Sequence, residues 1–287
     1  SSVGKTERMN RYILNFAKKL KGLHVQVNQG NIYITKGEAD IYPTIVAHTD
    51  TVHAILPAFN VVKIGDTLMG WNGESQVGVG GDDKVGVAIA LWFLQELPVV
   101  KIAFFRDEER GCIGSNLALD PFFEDSSLII QCDRNGRLDV VQEIMGIGLI
   151  PDALKEKMKP IMEKYGRRFV GGAMTEVWML ARNGINIASM NLSCGYYFPH
   201  TSREIVKISH VEETVNFVSD ILKLGENIQW FVPEEVEFEL ELPGCSRCQF
   251  GALVWDETEQ EYFCLMCQDY VDSDVPDTIE EYVNVSD

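Results

Sequence analysis

Residues able to bind a metal or move a proton gather at five places in this 287-residue chain, each beside an apolar stretch. The run 44–47 leads into His48-Thr49-Asp50, the run 100–106 into Asp107-Glu108-Glu109-Arg110-Gly111, and the run 127–131 into Asp133. Gly80-Gly81-Asp82-Asp83-Lys84 precedes an apolar segment, and His200 follows the turn 195–199. Taken singly, each has an ordinary explanation: a hydrogen-bonded histidine at a strand end, or a solvated acidic loop. Together they supply two imidazoles and several carboxylates, the mixed nitrogen and oxygen donor set suited to catalytic zinc. A second constellation lies near the C-terminus, where Cys245-Ser246-Arg247-Cys248 and Cys264-Leu265-Met266-Cys267 form two CxxC pairs 15 residues apart. Two such knuckles around a strand pair (252–255 and 261–263) form the pattern of a zinc ribbon. Four thiolates leave no open coordination position, so that zinc would be structural.

The elements that must position the first set follow from periodicity. Apolar groups at helical spacing predict a helix over 5–20, and runs at 23–28 and 31–35 joined by Gln29-Gly30 predict a hairpin. A buried strand is expected at 44–48, a strand pair at 59–71 around Gly65-Asp66, and a largely buried helix at 83–97. Strands at 100–106, 127–132, 138–143 and 186–191 alternate with helices at 151–165, 174–183 and 210–225. That alternation predicts an α/β fold with a mainly parallel or mixed central sheet and helices on both faces. Such sheets place ligands at the carboxyl ends of their strands, where His48, Glu108, Glu109 and Asp133 fall.

With these motifs in order, residues 5–225 resemble the co-catalytic dizinc exopeptidases, especially the peptidase T-like branch of the aminopeptidase and carboxypeptidase clan. The carriers are Gly30-Asn31-Ile32-Tyr33, Ala47-His48-Thr49-Asp50-Thr51-Val52, Gly81-Asp82-Asp83-Lys84-Val85-Gly86, Asp107 to Ser115, Cys132-Asp133, and Tyr197-Phe198-Pro199-His200-Thr201-Ser202-Arg203-Glu204. The resemblance implies two catalytic zinc ions, or other divalent metals in their place. It matches His48 and Asp133 to one ion, Glu109 and His200 to the other, and Asp82 (with Asp83 as the alternative) to the bridging carboxylate. Asp50 matches the acid that orients His48, and Glu108 the general base. Only 33 residues separate His48 from Asp82 and 66 separate Asp133 from His200. Neither gap holds the lid domain that many relatives carry, so a lidless catalytic core is expected. Tyr196 or Tyr197 could then donate to the oxyanion, although a packed aromatic pair explains them as simply. Arg203 could meet a substrate carboxylate or form a surface ion pair.

Net charge is −18. That argues against a nucleic-acid partner, for which lysine and arginine must be concentrated. Residues 243–287 hold Arg247 as their sole basic group against eleven acidic ones. The ribbon is therefore expected to meet a partner protein, a second subunit or the rim of the active site. Domains are expected at 1–230 (catalytic), 231–268 (ribbon with its lead-in strand) and 269–287 (acidic, flexible tail). No apolar run is long enough for a membrane span. Cys112, Cys132 and Cys194 read as buried, reduced thiols, which with no evident secretion signal suggests the cytoplasm. The functional expectation is metal-dependent hydrolysis of a peptide or an N-acyl amino acid, most simply by an aminopeptidase. The competing expectation is an inactive peptidase fold that binds partners through its ribbon.

Overall fold

The structure, a computed structural model, describes residues 5–56 and 58–232, and the backbone of three short strands beyond them. The chain divides into two compact units, Ser1–Glu234 and Glu235–Asp287.

In the first unit the helix α1 (Glu7–Ala17) precedes the hairpin of β1 (Leu23–Asn28) and β2 (Asn31–Lys36), whose antiparallel register closes at Asn28 and Asn31. Then come β3 (Tyr42–His48), β4 (Asn60–Ile64), β5 (Thr67–Trp71), β6 (Gln76–Val77), α2 (Gly81–Glu96) and β7 (Val100–Phe105). A short α3 (Ile113–Asn116) leads to β8 (Ser126–Arg134), β9 (Asp139–Ile144), β10 (Ile147–Gly148), α4 (Asp152–Tyr165), β11 (Arg168–Gly172) and α5 (Glu176–Arg182). The unit ends with β12 (Ser189–Ser193), β13 (Tyr196–Tyr197), β14 (Ile205–Lys207) and α6 (Ile208–Leu222).

Nine strands form the central sheet in the order β1-β2-β7-β3-β8-β12-β9-β10, with β11 beside β9. Its middle is parallel: β3 runs with β7 and β8, and β12 with β8. Towards β1 and towards β9 and β10 the pairing turns antiparallel, while β11 lies parallel to β9, so the sheet is mixed. All six residues of β7 and the first seven of β8 are buried, which requires cover on both faces. The helix α2 packs on β3, β7 and β8, and α5 on β3, β8 and β12. The apolar segments thus form one continuous core, from Ile13 through Phe104 and Ile130 to Phe217. A second sheet, β13-β14-β5-β4 with β6 on β5, is antiparallel throughout and comes from the regions flanking Asp82 and His200.

The elements expected from periodicity are present with shifted ends. The strands β11, β13 and β14 were not expected, because segments of two to five residues show little periodicity of their own. Residues 49–81 supply β4–β6, and residues 134–199 supply β9–β13 with α4 and α5. In the second unit, β15 (Leu253–Asp256), β16 (Glu261–Cys264) and β17 (Asp269–Val271) form an antiparallel sheet, which includes the expected strand pair. Cys264 ends β16, whereas Cys245, Cys248 and Cys267 lie outside the described residues, as does most of the acidic tail. No helix among the described residues is long and apolar enough to cross a membrane.

Candidate metal centre

Parallel pairing brings the first polar groups together. β3 lies between β7 and β8, with His48 opposite Phe105 and Val46 opposite Gln131. Two residues beyond Gln131 comes Asp133, level with His48, and Glu108 and Glu109 follow the end of β7. All four therefore emerge at one edge of the sheet. Asp82 arrives from the first turn of α2, entered through Gly80 at φ +67°, and the Asp82–Asp83 peptide is cis. His200 comes from the loop between β13 and β14, whose sheet also carries β5 and β6 just ahead of α2.

The two imidazoles face opposite oxygens of one carboxylate. His48 Nε2 is 3.1 Å from Asp82 Oδ1, and His200 Nε2 is 3.2 Å from Asp82 Oδ2. His48 Nε2 is also 3.6 Å from Asp133 Oδ1, and His200 Nε2 is 3.2 Å from Glu109 Oε2. Donors held 2.0–2.2 Å from a tetrahedral ion lie about 3.3–3.6 Å apart, so these spacings fit two divalent ions sharing Asp82. Buried Glu109 Oε1 has no hydrogen-bond partner, as expected of an atom left for a cation. The alternative bridge, Asp83, is already committed: its Oδ2 accepts from the His48 N–H (3.1 Å) and its Oδ1 from the Gly86 N–H (2.9 Å).

Asp50 does more than orient one ring. Its Oδ1 is 3.3 Å from His48 Nδ1 and accepts from the Glu108 N–H at 3.0 Å, while Oδ2 accepts from the Glu109 N–H at 3.2 Å. An extended segment would turn those two N–H groups to opposite sides. Instead Asp107 adopts φ +52° and Glu108–Arg110 forms a 3₁₀ turn, so one carboxylate collects both. Glu108 Oε2 then lies 3.8 Å from His48 Nε2, beside the space between the imidazoles.

Electrostatics favour cations here. Burial raises the Glu108 carboxyl well above its usual range, with Glu176 and Asp133 adding to the effect against His48. Burial raises Asp133 similarly, with Asp82 contributing. Asp82 goes the other way: burial pushes it up, but His200 and His48 outweigh that and hold it low. Asp82 and Glu109 hold the His200 imidazole up at about 10. On His48 burial opposes charge, yet Asp133, Asp50 and Asp82 overcome it and raise the ring well above its ordinary value.

Two buried carboxylates of this region had no assigned role in the sequence. Glu204 accepts from the Gly80 N–H (2.5 Å) and the Asp82 N–H (3.1 Å), and sits 2.8 Å from His53 Nε2. It thereby ties the His200 loop to the turn bearing Asp82 and to the segment after β3. His53 fits only because residue 78 is glycine, where a Cβ would come within 1.9 Å of its ring. Glu176, at the start of α5, is held by Thr175 Oγ1 and by the Gln131 amide, which also donates to Asp133 Oδ2 at 3.1 Å. Glu204 was visible only as the last residue of a motif, and Glu176 carried no signal.

Of the substrate-contact candidates, the Tyr196 hydroxyl donates to Asp133 Oδ1 at 3.2 Å and belongs to the centre. Tyr197 is directed to His210 Nδ1, 2.7 Å away, and the exposed Arg203 guanidinium lies over the Phe198 ring at 5.6 Å. Cys112, Cys132 and Cys194 are buried and unpaired, as expected. A cavity of about 660 Å³ between α1, residues 51–59 and α2 is lined by Tyr12, Phe16, Phe59 and Trp92 and shares His53 and Thr51 with the surroundings of the centre. None of the five candidate ligands lines it.

No family model and no curated protein matches the sequence. Solved structures do share its fold. Aminopeptidase PepT from Bacillus cereus ATCC 10987 superposes with a TM-score of 0.60 at 16% identity, over 79% of this chain and 95% of that one. A tripeptidase from Staphylococcus aureus subsp. aureus Mu50 gives 0.60 at 15% identity, over 79% and 95%. The TET1 peptidase of Pyrococcus horikoshii gives 0.56 at 16% identity, over 77% and 95%. At such identities the likeness is one of fold.

Proposed function

We propose that this chain is a co-catalytic dizinc peptidase, an exopeptidase that removes a terminal residue from peptides, most simply an aminopeptidase. The observation that carries the reading is Asp82, whose two oxygens each face one imidazole while Glu109 and Asp133 complete the two sides. The fold shared with solved peptidases supports it. His48 and Asp133 would hold one ion, Glu109 and His200 the other, and Asp82 both. Bound there, the zinc pair supplies a water acidified toward neutrality and a Lewis acid for the scissile carbonyl.

The protein's own groups do the rest. Asp50 accepts from His48 Nδ1 and fixes the tautomer that leaves Nε2 free to ligate. Glu108 takes the proton of the attacking water and delivers it to the leaving amine, a task suited to a carboxylate whose basicity burial has increased. Tyr196, already aimed at Asp133, is the candidate donor to the tetrahedral oxyanion. Without a lid, the substrate range would be set by the core's own loops. Cys245, Cys248, Cys264 and Cys267 would bind a third, structural zinc, and the acidity around them suits a protein partner or self-association.

The test is Glu108→Gln, which keeps the size of the side chain and removes the base. It is expected to bind as much zinc as the wild type and to lose turnover of short peptides by at least about 100-fold. Near-normal turnover in the variant would remove Glu108 from the mechanism, and a wild type that releases no amino acid from any short peptide would overturn the hydrolase reading.

A further inference from the structure

We infer that Glu176 is a specificity-determining residue that receives the α-ammonium of the substrate, making the chain an aminopeptidase; this rests on the hydrolase reading above. Four side chains besides the bridging Asp82 suffice to hold the two ions, and Glu176 is not among them. Yet oxygens of Glu108, Asp133 and Glu176 all lie within 4.8 Å of one another, a separate convergence of three carboxylates. Acceptors each about 2.9 Å from a tetrahedral ammonium nitrogen lie about 4.7 Å apart, so this spacing admits that ion.

The second observation is an orphaned atom. Glu176 is 0% exposed, and both of its hydrogen bonds, from Gln131 Nε2 and Thr175 Oγ1, reach Oε2. Oε1 is buried with no partner. An unsatisfied carboxylate oxygen in the interior is costly unless a cation meets it. The charges that act most on Glu176 are His48, committed to the metal centre, and Asp50, of like sign. The Gln131 amide donates to both Glu176 and Asp133 and so holds the two carboxylates together.

Position identifies the cation. The amino nitrogen of a peptide's first residue lies about 2.5 Å from its own carbonyl carbon, the atom the water attacks. It must therefore sit beside the general base and a metal-binding carboxylate, where Glu108 and Asp133 meet Glu176. The ammonium of a lysine side chain reaches much farther from any scissile carbonyl. A blocked N-terminus brings no charge to this place and leaves Oε1 unmet, the kind of loss that produces strong discrimination.

The experiment uses the full zinc-loaded chain, a tripeptide with a free N-terminus and its N-acetyl form. Calorimetric binding to the Glu108→Gln variant should favour the free peptide about 10- to 100-fold, the range for one hydrogen bond to a charged group. Glu176→Gln should erase that preference, raise KM for the free peptide by a similar factor with a smaller change in kcat, and leave zinc content unchanged; Glu176→Asp should restore part of it. Equal binding of free and acetylated peptides would overturn the inference even if hydrolysis is robust, and needs no substitution at Glu176 to fold. Loss of one zinc equivalent in Glu176→Gln would overturn it in favour of a third metal. If no peptide is hydrolysed but the free form still binds better, the hydrolase reading fails while Glu176 stands as an ammonium site.

Discussion

Replacing Glu204 should damage both the fold and the metal centre, by an amount its contacts allow to be worked out. The side chain is fully buried and accepts from the backbone N–H groups of Gly80 and Asp82, with His53 on the same oxygen as Gly80. A hydrogen bond to a charged group contributes about 1.5–3 kcal/mol, and a buried donor stripped of its partner costs a similar amount. His53 is partly exposed, so solvent can replace that contact and it is left out of the sum. Glu204→Ala should therefore destabilise the chain by about 3–6 kcal/mol, a large share of a typical domain's about 5–15 kcal/mol. Glu204→Gln retains one acceptor and turns an N–H₂ group toward the other donor, which puts it near half that cost. Because the lost contacts anchor the turn that carries Asp82, zinc affinity should fall about 10- to 100-fold, as for other groups that support a ligand. Urea unfolding reads the first effect, and zinc retention against a competing chelator reads the second. A Glu204→Ala protein within about 1 kcal/mol of wild type, holding its zinc as tightly, would refute the reasoning.

Two further outcomes follow from local geometry. Gly86→Ala would place a Cβ 2.3 Å from Asp83 Oδ1 and 2.5 Å from Oδ2, displacing the carboxylate that holds the His48 N–H; a loss of about 1–3 kcal/mol in urea unfolding is expected, and unchanged stability would show that Asp83 moves freely. Asp139, partly exposed between Arg168 and Arg134, is pushed up by burial but held below its ordinary value by those two cations. Its contribution is therefore full above the ordinary carboxylate value and is lost as the pH falls through the lower folded value, below about pH 4. Screening keeps it under about 1 kcal/mol, and Asp139→Asn should flatten that part of the acid limb; an unaltered limb would place the acid sensitivity elsewhere.

What the sequence disclosed and what it withheld divide along a physical line. The run Thr44-Ile45-Val46-Ala47 is apolar because both faces of β3 are covered, and that same burial makes the polar residue at its end, His48, conspicuous. Glu108, Glu109 and Asp133 were legible for this reason, as polar groups where buried strands stop. His200 follows a turn rather than the end of a buried strand, so its own place was the weaker signal and the motif around it the stronger. The supporting residues work differently. Glu204 reaches the N–H groups of Gly80 and Asp82 across 124 and 122 positions, and a backbone N–H has no side-chain identity for a pattern to register. Glu176 opens a short helix, where an acidic residue is favoured by the helix dipole whether or not it does anything else. The 3₁₀ turn of 108–110 has no local signature either, because the carboxylate that gathers its N–H groups, Asp50, lies 58 residues before Glu108. Side chains proposed to carry the chemistry are set off by apolar neighbours in sequence, while those that hold them in place are recognisable only once distant backbone has come near. The two sets should therefore respond differently to substitution: Glu108→Gln removes turnover and spares the fold, whereas Glu204→Ala weakens the fold and the centre together.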